Sequence, residues 1–497
     1  MNLKILFFQQ RNWGINIGSF LAKKFYDIGH KVSALTFKDS TNFFIKRQKN
    51  IKYDLIYDHE EILSDPEKFL ENDNFTLKEI CRDYNIDSIW PLIQSSRNHV
   101  RSYKDKYYYS FKQNVSDEQI ITYIKAVHKL IKKIENEFNP DFIIAPNFVS
   151  YVHIAFNLYF KNKNVKMLGL TGSLNDLNIF TYSYLDDNLP MIDRYHELEK
   201  GSISENYNKA KNIFNQKLSP TSARILKIRK NSRVKIWLSF VKNFIKLVFK
   251  NLKLIFTKKK KSFFSLDNNN VYYFVRDFIY QEKYKIFSDN FEYDNLDQLN
   301  NFAYFPLQFQ PEANIDIGAV NFNNQLETLR LVAQNLPDDM TLVVKDHPAM
   351  YGFRSPSFIQ KIIRTPNVKL INPNISGLNV LKKSKLLIAP TGSSFYEAAL
   401  LKVPSIHLGD IGLIDLLPNT EKINNYRDLP NKIKYLEKNM RFDEEYNKKV
   451  INYITASLDV GFDLKYQEIW NKSIIDYENL NKIFIKFKKE VEQNVDT

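Results

Sequence analysis

The chain has 497 residues, of which 44% are hydrophobic and 26% charged, with a formal net charge of +15. It is too long for one ordinary core and has the composition of a soluble globular protein, so two domains are expected. A single cysteine, Cys81, excludes an internal disulfide and a cysteine-rich zinc site, and fits a reducing cytosol.

The charge is uneven. No Asp or Glu occurs between Asn206 and Leu266, an interval that holds seventeen Lys and Arg residues. Those seventeen exceed the whole net charge by two, so the rest of the chain stands at −2. The basic character belongs to one segment, which argues against a general nucleic-acid-binding protein and for a local anionic partner. No run of about 18 uncharged apolar residues occurs, so no transmembrane helix is expected. The opening MNLKILFFQQ reads as a first strand rather than a secretory leader.

In chain order, Leu3 to Phe8 is a strand. A loop with Gly14 and Gly18, a helix through Leu21, Phe25 and Ile28, and a strand from Val32 to Phe37 follow. This is a Rossmann-like opening, although its glycines do not fit G-x-G-x-x-G. Ser88 to Ile93 reads as a strand, and Ile120 to Phe138 as a helix from its apolar spacing of three and four. Phe142 to Ala145 is a strand, Val152 to Phe160 a helix, and Val165 to Leu170 a strand. Pro146, Asn147, Thr171, Gly172 and Ser173 then fall at strand ends, as cleft lining or as ordinary loop residues. Asp186, Asp187 and Asp193 follow, either as catalytic carboxylates or as solvated loop acids.

Lys235 to Phe256 is predicted as a helix. Its lysines at 235, 242, 246, 250 and 253 fall within an arc of about 80°, with Trp, Phe, Leu and Ile around most of the remainder. Lys258 to Lys261 follow. Residues 233–261 therefore suit an anionic membrane surface, or form a core helix with one wet face. Asp267 to Asn270 marks a boundary, and Val271 to Val275 reads as a new strand. Phe302 to Leu307 is a strand and Phe322 to Asn335 a helix.

The densest information lies from Leu342 to Asp410. One apolar run ends in Lys345-Asp346-His347-Pro348, and a second, Leu386 to Ala389, ends in Pro390-Thr391-Gly392-Ser393-Ser394. A helix begins at once, through Phe395, Glu397 and Leu401, and a third run, Pro404 to Leu408, closes on Gly409-Asp410. His347 can donate to a phosphate oxygen. Hydroxyls and amides at a helix N-terminus bind phosphate well. Two plainer readings stay open: Ser393 or Ser394 as a simple N-cap, and Ser394-x-x-Glu397 as a capping box rather than a ribose contact. Lys345 and Arg354 read as exposed basic residues or as added positive charge at the site. From about Leu429 the chain is Lys/Glu-rich and helical.

Gln310-Pro311-Glu312, Val344 to Pro348, Thr391 to Ser394 with Glu397-Ala398-Ala399, and Val403-Pro404 together resemble the capsule polysaccharide biosynthesis family, which includes bacterial β-Kdo transferases. The likeness covers roughly residues 300 to 410. It implies an α/β fold of GT-B type, two Rossmann-like domains facing across a cleft, with a basic helical insertion between them. The expected divisions are 1–200 on the acceptor side, 201–266 basic and helical, 267–425 nucleotide-sugar-binding, and 426–497 helical.

The resemblance further implies a metal-independent glycosyltransferase with no cofactor, using a CMP-sugar such as CMP-Kdo as donor substrate and a glycan or glycolipid as acceptor. Its site would lie on the inner face of the cytoplasmic membrane. Gln310, Lys345, His347, Pro348, Thr391, Gly392, Ser393, Ser394 and Glu397 would hold the donor nucleotide. Glu312, His347, Asp186 and Asp187 are the catalytic candidates. Lys402 stands where related transferases usually carry Gly. The alternatives are a CDP-alcohol phosphotransferase of teichoic-acid type and a non-catalytic polysaccharide assembly protein.

Overall fold

Two six-stranded sheets organise the computed structural model, which describes residues 2–95, 116–173, 177–216, 233–256, 271–472 and 476–495. The first sheet contains β1 (Lys4–Gln9), β2 (Lys31–Thr36), β3 (Ile56–Asp58), β4 (Phe142–Ile144), β5 (Lys166–Gly172) and β6 (Asn178–Thr181). Its order is β3-β2-β1-β4-β5-β6, parallel except for β6, which runs antiparallel to β5. The second contains β7 (Phe302–Pro306), β8 (Thr341–Lys345), β9 (Val368–Ile371), β10 (Leu386–Ala389), β11 (Ser405–His407) and β12 (Thr420–Lys422). It is parallel throughout, ordered β12-β11-β10-β7-β8-β9.

Both sheets follow one plan: the first strand is central, and the fourth lies on the side opposite the second. The chain reverses direction across the sheet at β1/β4 and again at β7/β10. Ligands of such sheets sit outside the strand C-termini at that reversal. The central strands are buried on both faces, which is why β1 and β8 read as continuous apolar runs instead of alternating ones.

Four expectations change. Ser88 to Ile93 is not a strand. Trp90–Gln94 is a short helix with Pro91 in its first turn, and Ile89, Leu92 and Ile93 are buried at helical spacing. Val271 to Val275 is not a strand either, but the start of the helix Val271–Asp289. Phe274 and Phe278, four residues apart, both stack on Phe240 of the helix Arg233–Phe256. Gly14 and Gly18 lie in a π-helical turn, Gly14–Gly18, not in a loop. A Cβ on Gly18 would stand 2.4 Å from the Trp13 ring, so this glycine lets the helix press onto its own neighbours. The helix expected from Phe322 starts at Gln325, capped by the Asn324 side chain.

Core packing crosses the expected divisions of the chain. Leu189, Met191, Tyr195 and Leu198 join the core of the second sheet with Tyr446, Tyr453 and Ile454. The chain then returns: Tyr466, Ile469, Ile483, Phe487 and Val491 pack with Ile5, Phe7 and Trp13 under the first sheet. Trp13 Nε1 donates to the Tyr466 hydroxyl at 2.6 Å, joining the two ends of the chain. The Lys258 to Lys261 run, the basic residues from Lys217 to Lys230 and the Asp267 to Asn270 boundary lie outside the described residues.

Candidate functional site

A cavity of about 590 Å³ opens at the β7/β10 reversal, between the two sheets. That is the size range of small-molecule sites. The second sheet supplies most of the wall: Gln308, Phe309 and Glu312 after β7, Asp346, His347 and Pro348 after β8, Asn374 to Leu378 after β9, and Thr391 to Ser394 with Glu397 after β10. The first sheet contributes Thr171, Gly172 and Asp186.

The loop after β10 turns at Gly392, whose φ of +122° strains any side-chain-bearing residue. A Cβ there would also stand 3.2 Å from Gln308 Oε1. The helix Ser394–Leu401 starts directly afterwards with Ser393 as its N-cap, and no side-chain capping bond forms. The capping box of Ser394 with Glu397 is therefore absent. With Ser393 at the cap, Glu397 falls at the fourth helical position, one past the place that closes the box. Ser394 Oγ is buried without a hydrogen-bond partner. The Phe395 and Tyr396 amides turn back on the Gly392 and Ser393 carbonyls at 3.5 and 3.1 Å, and the helix dipole leaves this end positive. A hydroxyl donor and a positive helix end thus share one wall of the cavity. At the other end of this helix Lys402 takes the left-handed conformation, φ +59°, that glycine usually fills.

His347 lines the cavity from the end of β8. The Ala349 amide donates to its Nδ1 at 3.2 Å. With Nδ1 accepting, the neutral ring carries its proton on Nε2, which leaves that N–H as a donor. Burial lowers the pKa of His347; Lys345 and Arg354 push the same way and Asp346 opposes them. Asp346 accepts from the His347 amide at 2.8 Å and from Arg354 Nε at 3.4 Å. Arg354 also donates to the Gln308 carbonyl at 2.9 Å, and its guanidinium lies over the Phe358 ring. Lys345 and Arg354 are both buried, which corrects the reading of exposed bases. Arg354 ties the loops after β7 and β8 together. Lys345 ends a central strand, where burial pushes its pKa down to about 8 against the pull of Asp346 and Glu397. Burial raises Glu397 in turn, and Lys345 opposes that. The two influence each other through space across the wall of the cavity, while Lys345 Nζ donates to the Asp346 carbonyl at 3.2 Å.

Of the remaining sequence candidates, Pro348, Thr391, Ser393 and Glu312 line the cavity. Gln310 is turned away from it. Its amide donates to the Asn323 carbonyl at 2.8 Å and accepts from Gln325 at 2.7 Å, inside the loop that Glu312 ends. Gln308, two residues earlier, lines the cavity instead. Asn374 and Ser376 follow β9, an edge strand whose apolar run is broken by the exposed Lys369, so the sequence pattern does not reveal them.

Asp186 faces the cavity from the first sheet, and Asp187 is exposed beside it. Thr171 Oγ1 donates to Asp186 Oδ2 at 2.9 Å. Burial raises the Asp186 pKa to about 7, with the Thr171 and Thr181 hydroxyls opposing. The Asp186 loop touches the second domain directly. The Gly412 amide donates to the Leu185 carbonyl at 2.9 Å, and a Cβ on Gly412 would stand 2.6 Å from the Asp186 carbonyl.

From Asp186 the space continues. A cavity of about 230 Å³ shares Thr171, Gly172 and Asp186 with the first and reaches Asn147, Gln467 and Trp470. Those three residues also line a cavity of about 500 Å³ with Gln10, Arg11, Asn12 and Lys38, at the C-terminal edge of β1 and β2. A trench lined by amide side chains, one tryptophan, Arg11 and Lys38 thus runs from the 590 Å³ cavity across the first domain. Among the described residues no group of three or more His, Cys, Asp or Glu side chains stands where it could hold a metal ion.

No family model matches the chain, and no curated protein matches it. Solved structures similar to it include a β-Kdo 2,7-transferase, KpsC, of Thermosulfurimonas dismutans, with 10% identity over 66% of this chain and 79% of that one and a TM-score of 0.33. A UDP-GlcNAc 2-epimerase of Methanocaldococcus jannaschii in complex with UDP-GlcNAc and UDP shares 12% identity over 92% and 99%, with a TM-score of 0.28. A glycosyltransferase of Rickettsia africae shares 12% over 96% and 99%, with a TM-score of 0.26. Identities this low leave function to be read from the site. By its own topology the fold is GT-B-like: two Rossmann-like domains, each with a central first strand, facing across a cleft.

Proposed function

We propose that the protein is a glycosyltransferase that moves a sugar from a CMP-sugar such as CMP-Kdo to a surface polysaccharide or glycolipid acceptor at the inner face of the membrane. The observation that carries this reading is the wall formed by the uncapped Ser394 helix, its unpartnered hydroxyl and the Nε2–H of His347 in one cavity at the strand reversal. Breaking the bond between the anomeric carbon and the nucleotide oxygen leaves charge on the CMP phosphate. Donors held in place before the reaction stabilise that charge, with no metal required. Glu397 and Lys345 lie beside them, where a ribose and a phosphate would be met.

On the opposite wall Asp186 takes the proton from the acceptor hydroxyl as its oxygen bonds to the anomeric carbon. A carboxylate raised to about 7 is matched to that task. Glu312 also faces the cavity and is the second candidate. The trench beyond Asp186, with its amides and Trp470, suits an extended glycan acceptor.

The test is incubation with CMP-Kdo, other CMP-sugars, UDP-sugars and CDP-glycerol, scoring transfer and hydrolysis, alongside nucleotide binding by calorimetry. Turnover of a CMP-sugar is expected. Turnover of CDP-glycerol alone would assign a phosphotransferase, and absence of any turnover or nucleotide binding would leave a non-catalytic assembly protein.

A further inference from the structure

The helices Arg233–Phe256 and Val271–Asp289 pack on each other through a short aromatic stack. Phe240 lies 4.0 Å from Phe278 and 5.2 Å from Phe274, and Trp237 meets Phe278 edge-on at 5.0 Å. At about 100° per residue, this contact, with buried Leu247, occupies roughly 80° of the first helix. The next arc of about 80° carries Leu238, Val241, Ile245, Phe249 and Leu252, all between 45% and 69% exposed. Lys235, Lys242 and Lys246, also exposed, border that arc, and the helix contains no acidic residue. The second helix adds exposed Tyr272, Ile279 and Ile286, spaced by seven along one stripe.

A helix buried in a core would have these side chains covered, and a helix in water would carry polar ones. Among the described residues no helix is long and apolar enough to cross a membrane. An exposed apolar stripe flanked on one side by lysines fits the headgroup boundary of an anionic bilayer, which accepts both at once.

The attachment of the pair to the rest of the molecule is informative. The Tyr351 hydroxyl donates to Asp289 Oδ1 at 2.5 Å, at the end of the second helix. Gly352 lets that helix approach: a Cβ there would stand 2.7 Å from Lys285 Cγ. Tyr351 and Gly352 follow His347 and Pro348 in the same loop. The helix pair is therefore fixed to the segment that forms one wall of the cleft.

We propose that the Leu238–Leu252 stripe and its lysines dock flat on an anionic phospholipid bilayer, bringing the cleft to a lipid-borne acceptor. The second half of that statement rests on the proposed transferase activity; the docking does not. The experiment uses the full chain with phosphatidylcholine vesicles, with and without phosphatidylglycerol, read by flotation. Binding is expected only with phosphatidylglycerol and should weaken as salt rises. The Leu238→Glu/Phe249→Glu double variant should lose at least about tenfold in vesicle partition, with unchanged melting temperature and nucleotide affinity. Replacing Lys235, Lys242 and Lys246 with Gln should cost about fivefold or more.

Three results would overturn the proposal: no flotation of the wild type, flotation that the double variant leaves intact, or a wild-type dimer in light scattering that the double variant converts to monomer. The last would assign the stripe to a second copy of the chain. Vesicle binding without turnover of any donor would sink the transferase reading and leave the docking; donor turnover without vesicle binding would do the reverse.

Discussion

The two sheet edges are built on one strand order and used differently. At the β1/β4 edge, the first helical turn after the strand is filled by the protein itself. Gly14 and Gly18 bring it down onto Gln9 and Trp13, and Trp13 is locked to Tyr466. At the β7/β10 edge, the corresponding helix starts at Ser394 with no capping bond, a buried unpartnered hydroxyl and an open cavity in front of it. A glycine near a first strand therefore does not by itself mark a phosphate site. What separates the two edges is whether side chains have consumed the space and the donors. The first edge keeps its opening further out, along the amide-rich trench, and the second keeps it at the helix end.

Substitutions at the two edges should separate accordingly. The largest effect is expected from Asp186→Asn, which removes the proposed proton acceptor: transfer should fall by about 10²–10⁴-fold. Stability should move the other way. A carboxyl with its folded pKa raised to about 7 holds its proton more tightly folded than unfolded, so the wild type loses stability as pH rises from about 4 to about 7. The Asn variant escapes that loss and should melt higher than wild type at pH 8. Wild-type transfer should itself rise with pH through about 7. A pH-independent rate from about one and a half units below that pKa to about one and a half units above it would remove Asp186 from the role of base.

Next come the donors on the other wall. His347→Ala should reduce transfer by about 10²–10³-fold with little change in melting temperature. Ser394→Ala should cost about tenfold in nucleotide affinity, since one hydrogen bond is lost and no packed partner is disturbed. Equal loss of folding in His347→Ala would make the histidine structural and erase the contrast between the edges.

Gly18→Ala and Gly392→Ala test the contrast directly. The first should destabilise the protein by about 1–3 kcal/mol through overpacking against Trp13 while leaving nucleotide affinity unchanged. The second should weaken nucleotide binding, because its φ of +122° shapes the loop in front of the cavity. If both variants changed affinity alike, the first edge would be a second nucleotide site. The smallest effect is expected at the far end of the helix Ser394–Leu401. Lys402→Gly should stabilise by about 1 kcal/mol, by relieving the left-handed strain, and leave transfer unchanged.

Much of this was legible in the chain itself. The long buried strands announced themselves because a parallel sheet covered on both faces demands continuous apolar runs, and the polar loops at their ends marked the cleft. The edge strands did not announce themselves. β3, β6, β9 and β12 stand at the four sheet edges and carry Asp58, Asn178, Lys369 and Glu421, so they lack the unbroken apolar run that marks the equally short but central β4 and β10, and with β9 the Asn374 to Leu378 wall was lost. Two five- to six-residue apolar runs were ambiguous between strand and helix. Ser88 to Ile93 resolved to helix through Pro91, and Val271 to Val275 through the four-residue spacing of Phe274 and Phe278.

The sequence by itself determined the two parallel-sheet domains, the positions of the His347 and Thr391–Ser394 loops, and the confinement of positive charge to one segment. These depend on local pattern: hydrophobic period, turn residues and charge runs. Only the tertiary structure decided that Gln310 turns inward while Gln308 faces the cavity, that Arg354 is buried as the tie between two loops, that Asp186 reaches the cleft while Asp187 does not, and that the last helices return to close the first domain. Each of those depends on which side chain meets which partner across a long stretch of chain, and no local pattern carries that information.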